Sequence, residues 1–169
     1  VAELLDFGRL EAGQLDIEPT DVDLRELLTG VTDRLGSLFR HHVVHVDVEE
    51  GLTAQADPLL LERVVENLLT NAAKYTPMGS RVRVSASGHG PDAVISVSDD
   101  GPGIPPEETC HIGERFFRGG DPNTRSTRGT GLGLALVSEI LDLHGTYLEV
   151  ESKPGMGSRF SFQLPRGRG

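Results

Sequence analysis

Basic residues are scarce in this sequence. Sixteen Lys and Arg stand against 26 Asp and Glu, a formal net charge of −10. A nucleic-acid binder usually presents a basic face, so nucleic acid is not expected as the main partner. There is one cysteine, Cys110. It excludes an internal disulfide and points to a reducing compartment. Long apolar runs are missing as well. LGLALV (132–137), itself interrupted by a glycine, is the longest and falls far short of a membrane span. The first residues, VAELLDFGRLEAG, carry charges and lack the apolar stretch of a signal peptide. They begin without methionine and inside a helical pattern, so the chain is expected to be a piece of something longer.

What remains is an ordinary globular composition. The 169 residues are 37% hydrophobic and 25% charged, enough for one domain with a proper core. Residues 1–11 read as the end of a helix, with Ala12-Gly13 as its stop. QLDIEPT (14–20) reads as extended. Asp23 followed by Glu26 resembles a capping box opening a helix through about Phe39. HVVHVDVE (42–49) reads as a strand, and Asp57-Pro58 caps the next helix. RVRVSAS (81–87) and AVISVSD (93–99) read as a hairpin about GHGPD. Residues 100–130 are crowded with Gly, Pro, Arg and Thr, as functional loops or lids are. LGLALVSEILDLHG is a helix closed by Gly145, and YLEVES and SRFSFQLP are two final strands. Five strands and three helices predict an α/β (α+β) two-layer sandwich, a mixed sheet packed against the helices with a long lid.

The helix NLLTNAAKYTP (67–77) raises a specific question. At about 100° per residue, Asn71 lies ~40° from Asn67 and Lys74 ~20° to the other side. Leu61, Val64, Val65, Leu68, Leu69 and Ala72 take the opposite arc. A solvated face is the plain alternative. Such a face would carry more Glu and Lys, whereas short amides suit a site needing neutral oxygen ligands at close range. A carboxamide oxygen ligates Mg²⁺ without adding charge, and Mg²⁺ is normally shared with substrate phosphates. Lys74 suits a phosphate as a point charge.

Two glycine motifs follow. SDDGPGI (98–104) leaves an apolar strand with Asp99 at the exit and Gly101 and Gly103 able to let the backbone approach a ligand. A plain turn is the alternative. RGTGLGLAL (128–136) opens a helix with free backbone N–H groups at its positive end, a phosphate site if not merely a glycine-rich connector. No GK[ST] follows, so it is not a P-loop. Leu134 stands where a dinucleotide-binding fold needs its third glycine.

Taken together these segments resemble the ATP-binding catalytic domain of bacterial sensor histidine kinases, in the superfamily shared with gyrase-type ATPases. NLLTNAAKYTP is similar to the family's N box, DDGPGI to its G1 box, ERFFRG to its F box and GTGLGLAL to its G2 box. HGTYLEVESKPGMGSRFSFQLP resembles the closing hairpin. LLDFGRLEAGQLDIEPTDVDL resembles the end of the dimerisation helix and its linker, which sets expected boundaries of 1–20 and 21–169. HGT in place of HGG, and CHIG before ERFF, depart from the pattern.

The resemblance implies ATP and Mg²⁺ as ligands. Asn71 would ligate Mg²⁺, with Asn67 contacting metal, water or phosphate and Lys74 meeting a phosphate. Tyr75 would line the ribose or adenine side. Asp99 would accept from the adenine amine, Gly101 and Gly103 would admit the base, and Ile104 would pack on it. Gly129, Thr130, Gly131, Leu132 and Gly133 would cradle the phosphates. Arg125 and Arg128 would belong to the lid, which Phe116 and Phe117 would anchor, and Ser158 would help hold the adenine through water. The implied reaction is γ-phosphoryl transfer to a histidine on an upstream dimerisation domain, in a homodimer that serves a response regulator. The implied setting is the cytoplasmic part of a sensor kinase tied to the membrane only through a missing N-terminal portion. His41, His42, His45, His89, His111 and His144 all lack the phospho-acceptor context. Two rivals share the fold. A gyrase-type ATPase needs a water-activating glutamate where Asn67 stands. An anti-sigma serine kinase would lack the helix remnant at residues 1–18.

Overall fold

Two aspartates open two helices. Asp23 accepts from the Glu26 N–H at 3.0 Å and starts α1 (Leu24–Arg34). Asp57 accepts from the Leu59 and Leu60 N–H groups at 3.1 and 3.2 Å, with Pro58 at the first turn of α2 (Pro58–Tyr75). The computed structural model describes residues 16–105, 107 and 133–168. Helix α1 is shorter than its periodicity suggests. After Arg34 the chain tightens into a 3₁₀ turn, Gly36–Phe39, because glycine is a poor continuation of a helix.

Strands β2 (Val43–Val48), β4 (Arg81–His89), β5 (Asp92–Asp99), β6 (Glu149–Lys153) and β7 (Gly157–Pro165) form one mixed sheet ordered β2-β4-β5-β7-β6. Only β2 and β4 are parallel. The third described helix, α3 (Gly133–Leu143), ends before Gly145, whose φ is +72°. Alternation sorts the sheet. Val82, Val84, Ile95, Val97, Phe160 and Phe162 are buried beneath the helices, while Arg81, Arg83, Arg159 and Gln163 lie exposed on the other face. Helix α2 lies between α1 and α3 and buries Leu61, Val64, Val65, Leu68 and Leu69, each worth about 1.5–3 kcal/mol of burial. Among the described residues the two-layer α/β architecture, a mixed five-stranded sheet with three helices, is therefore as expected.

The sequence did not announce a second, two-stranded sheet. Strand β1 (Thr20–Asp23) pairs antiparallel with β3 (Thr53–Ala56). The C-terminal tail closes over it: Gly167 N–H donates to the Thr53 carbonyl at 2.9 Å, and Arg168 N–H reaches the Asp21 carboxylate at 3.3 Å. Asp57 also accepts from the Glu18 N–H at 3.0 Å, which ties the incoming chain to the start of α2. The expected helix at 1–11 and most of the 100–130 stretch, with Phe116 and Phe117, lie outside the described residues. Among the described residues no helix is long and apolar enough to cross a membrane.

Candidate functional site

The polar face of α2 runs from buried to open along its axis. Asn67 is 7% exposed, the buried end of that face. Its Nδ2 donates to the Arg63 carbonyl at 2.9 Å. Its Oδ1 faces the first turn of α3, where a Cβ added to Gly133 would lie 3.1 Å away. Asn71 is half-buried, and Lys74 and Tyr75 are exposed. At the helix end Thr76 is buried, donates to the Ala72 carbonyl at 2.6 Å and accepts from His42 Nε2 at 2.9 Å. Its methyl group is held against Gly101, where a Cβ would come within 2.7 Å. Helix α2 thus meets α3 through Asn67 and Gly133 and the turn after β5 through Thr76 and Gly101.

That turn rests on the β6–β7 hairpin. Gly103 has φ +74°, and a Cβ there would overlap the Lys153 carbonyl oxygen. Gly155 N–H donates to the Pro102 carbonyl at 2.7 Å, and Ile104 N–H to Ser152 Oγ at 2.7 Å. A Cβ at Gly157 would overlap the Asp99 carbonyl oxygen, so β7 passes β5 as closely as backbone allows. Asp99 stands at the end of β5, opposite Ser158 in register. Burial pushes its carboxyl above the usual range; the Gly101 and Ser158 N–H groups pull back, and the charge of Asp100 adds to the rise. A half-buried carboxylate whose apolar surroundings oppose its charge is a common mark of a ligand site.

Asn67 and Gly133 are therefore neighbours, as are Asp99, Gly101 and Ser158, and Gly103 and Ile104 share the hairpin platform. Arg125, Arg128, Gly129, Thr130, Gly131 and Leu132 lie outside the described residues. Sequence reasoning overlooked three contributors, Thr76, His42 and Ser152. Thr76 was visible only as the residue before Pro77. The other two act across 34 and 48 positions of sequence, where no local pattern signals them. His144 is also a structural tie: Nε2 accepts from the Asp57 N–H at 3.1 Å and Nδ1 donates to the Ile140 carbonyl at 2.8 Å. Glu66, next to Asn67, directs its carboxylate towards α1, 4.0 Å from the Arg34 guanidinium.

The fold has two layers, with amides on one helix, a carboxylate at a strand end and a helix start beside them. The chain belongs to the family described as histidine kinase-, DNA gyrase B- and HSP90-like ATPase, whose model matches residues 56–168. Within that family it is an ATP-binding catalytic domain of the sensor histidine kinase kind. It is 37% identical over 173 residues to the sensor-like histidine kinase SenX3 of Mycobacterium tuberculosis, covering 98% of this chain and 41% of SenX3. It is 33% identical to the sensor histidine kinase RcsC of Escherichia coli, covering 98% of this chain and 18% of that protein. The chain thus spans less than half the length of either relative. Among solved structures, it resembles the mycobacterial sensor histidine kinase MprB (33% identity, TM-score 0.76, 90% of this chain and 99% of that one). It also resembles full-length ShkA in complex with AMPPNP (29% identity, TM-score 0.85, 98% of this chain and 35% of that one).

Proposed function

We propose that this domain positions Mg²⁺-ATP for transfer of its γ-phosphoryl group to a histidine on an upstream dimerisation segment. The observation that carries the reading is the meeting of three segments: α2 reaches the start of α3 through Asn67 and Gly133, and the Asp99–Ile104 turn through Thr76 and Gly101. The AMPPNP complex of ShkA supports an adenine nucleotide as the ligand.

The residues fit a magnesium-chelated triphosphate. Among the described residues no three His, Cys, Asp or Glu side chains gather to hold a metal by themselves. A cation here would rest on the Asn71 amide oxygen, with Asn67 alongside, and on phosphate oxygens, the pattern Mg²⁺ favours. When bound, Mg²⁺ supplies charge neutralisation on the transferring group. Lys74 adds a positive charge at the open end of the same helix face. The N–H groups at the start of α3, at Gly133, would meet the phosphates, and Arg125, Arg128, Gly129, Thr130, Gly131 and Leu132 would complete the cradle. Asp99 accepts from the adenine amine, Gly101 and Gly103 leave room for the ring, Ile104 and Tyr75 flank it, and Ser158 sits behind through water.

Residues 1–20 are read as the end of the dimerisation helix and its linker, and 21–169 as the catalytic domain. The acceptor histidine, the homodimer, the response regulator and any membrane anchor belong to the rest of a cytoplasm-facing sensor kinase. Rapid hydrolysis of the gyrase kind is disfavoured, because Glu66 turns towards Arg34 and an amide stands where the water-activating glutamate would be. The test is labelled ATP with and without a separately prepared dimerisation segment of matching sequence. Acid-labile phosphate should appear on that segment only. Labelled phosphohistidine on this chain alone, or multiple-turnover phosphate release without the segment, contradicts the proposal.

A further inference from the structure

Ser152, which supports the Ile104 turn, makes three hydrogen bonds beside the candidate site. Its Oγ lies 2.7 Å from the Ile104 N–H nitrogen, 3.0 Å from the Gly157 carbonyl oxygen and 2.9 Å from Ser158 Oγ. A serine hydroxyl owns one proton and two acceptor lone pairs. The Ile104 N–H only donates and the Gly157 carbonyl only accepts. Ser152 therefore spends its proton on Gly157, takes the Ile104 proton on one lone pair, and has only the other left for Ser158. The Ser158 hydroxyl must donate to it. With its proton committed, Ser158 Oγ offers nothing but lone pairs to any further partner.

The strand register fixes where those lone pairs stand. Ser152 on β6 is opposite Ser158 on β7, and Ser158 is opposite Asp99 on β5. Directly opposed residues share a face, with Cβ atoms roughly 4.5–5.5 Å apart. The three polar groups form a row across the helix-facing side, continuing the positions of Val150, Phe160 and Val97. An ionised Asp99 is acceptor-only as well. The end of the row thus presents two adjacent acceptors and no hydroxyl donor.

We propose that Ser152 is a specificity-determining positioning residue. By holding Ser158 as an acceptor beside Asp99, it makes the base end of the site select a purine carrying a 6-amino group over one carrying a 6-oxo group. This rests on the reading that Asp99 faces the base. A 6-amino group, or a water bound to it, brings protons to two acceptors. A 6-oxo group brings lone pairs to lone pairs, and such mismatches are strongly rejected where the polar groups are buried. Loss of the Ser152 hydroxyl frees Ser158 to rotate and donate, and the rejection relaxes.

The experiment is calorimetric titration of the chain with ADP and with inosine diphosphate, which differs at purine position 6 and carries a proton on N1. The wild-type chain should favour ADP. Ser152→Ala should narrow the ADP-to-IDP affinity ratio about 5-fold or more, the scale of one buried hydrogen bond. Ser152→Thr, which keeps the hydroxyl, should retain the ratio. If Ser152→Ala does not fold, Ser158→Ala removes the acceptor itself and should narrow the ratio likewise. The proposal is overturned if both affinities fall together with the ratio unchanged, the result of a purely structural role. Asp99→Asn separates the two layers of the argument. If it shifts the ratio towards IDP while Ser152→Ala and Ser158→Ala do not, this inference fails alone. If the wild-type chain binds neither nucleotide or does not discriminate between them, the base-site reading fails and this inference with it.

Discussion

Gly103 and Gly51 have nearly the same backbone, φ +74° and +70°, in different surroundings. An alanine in this left-handed region costs about 1–2 kcal/mol. At Gly51 a new Cβ meets nothing within 4 Å, so that cost is the whole penalty. At Gly103 the Cβ would overlap the Lys153 carbonyl oxygen, a backbone atom that cannot rotate aside. The turn must lift from the hairpin, and the Gly155–Pro102 and Ile104–Ser152 hydrogen bonds, both 2.7 Å, go with it. At about 0.5–1.5 kcal/mol each, they bring the total for Gly103→Ala to about 2–5 kcal/mol. For a chain of this size about 2–4 °C of Tm follows each kcal/mol, so Gly103→Ala should melt roughly 5–20 °C lower and Gly51→Ala only a few degrees lower. Thermal unfolding followed by circular dichroism reads both. ADP titration should show a loss of about tenfold or more for Gly103→Ala alone, the equivalent of ~1.4 kcal/mol. Equal Tm shifts for the two variants, with ADP affinity intact in both, would refute the claim that the hairpin supports the turn.

The Asp99 carboxyl gives a pH dependence whose sign is opposite to that of a salt-bridged acid. Burial raises its folded-state pKa above the unfolded one, so ionisation opposes folding. The penalty is present at neutral pH and is relieved as pH falls through the raised pKa. Asp99→Asn should therefore gain stability at pH 7 relative to wild type and lose that advantage in acid, as measured by urea titrations across pH. Adenine-nucleotide affinity should fall over the same window in wild type and stay flat in Asp99→Asn. At the other end of α2, Asp57→Ala removes the cap of Leu59 and Leu60 and should cost about 0.5–2 kcal/mol in urea unfolding, with ADP affinity unchanged.

Much of this was legible where the physics is local. The Asp57-Pro58 start, the apolar arc from Leu61 to Ala72, the hairpin alternation in β4 and β5 and the Gly145 stop are all short-range signals, and each element formed where it was expected. The spacing of Asn67, Asn71 and Lys74 placed them on one face, but could not tell that Asn67 is buried against α3. Strand β3 is four residues, TAQA, with no β-branched residue after Thr53. It forms because β1 and the Arg166–Arg168 tail pair beside it, which is a tertiary cause. The Ser152–Ile104 and His42–Thr76 bonds join distant segments through small polar groups that leave no periodic trace.

The central claim is that α2, the turn after β5 and the start of α3 make one pocket for a magnesium-chelated adenine nucleotide. Titration of ADP in the presence and absence of Mg²⁺, on the wild-type chain and on Asn71→Ala, tests it most directly. The wild type should release heat with ADP alone and bind more tightly with Mg²⁺, and Asn71→Ala should lose only the metal-dependent gain. No heat from the wild type under either condition, or a full magnesium gain in Asn71→Ala, would contradict it.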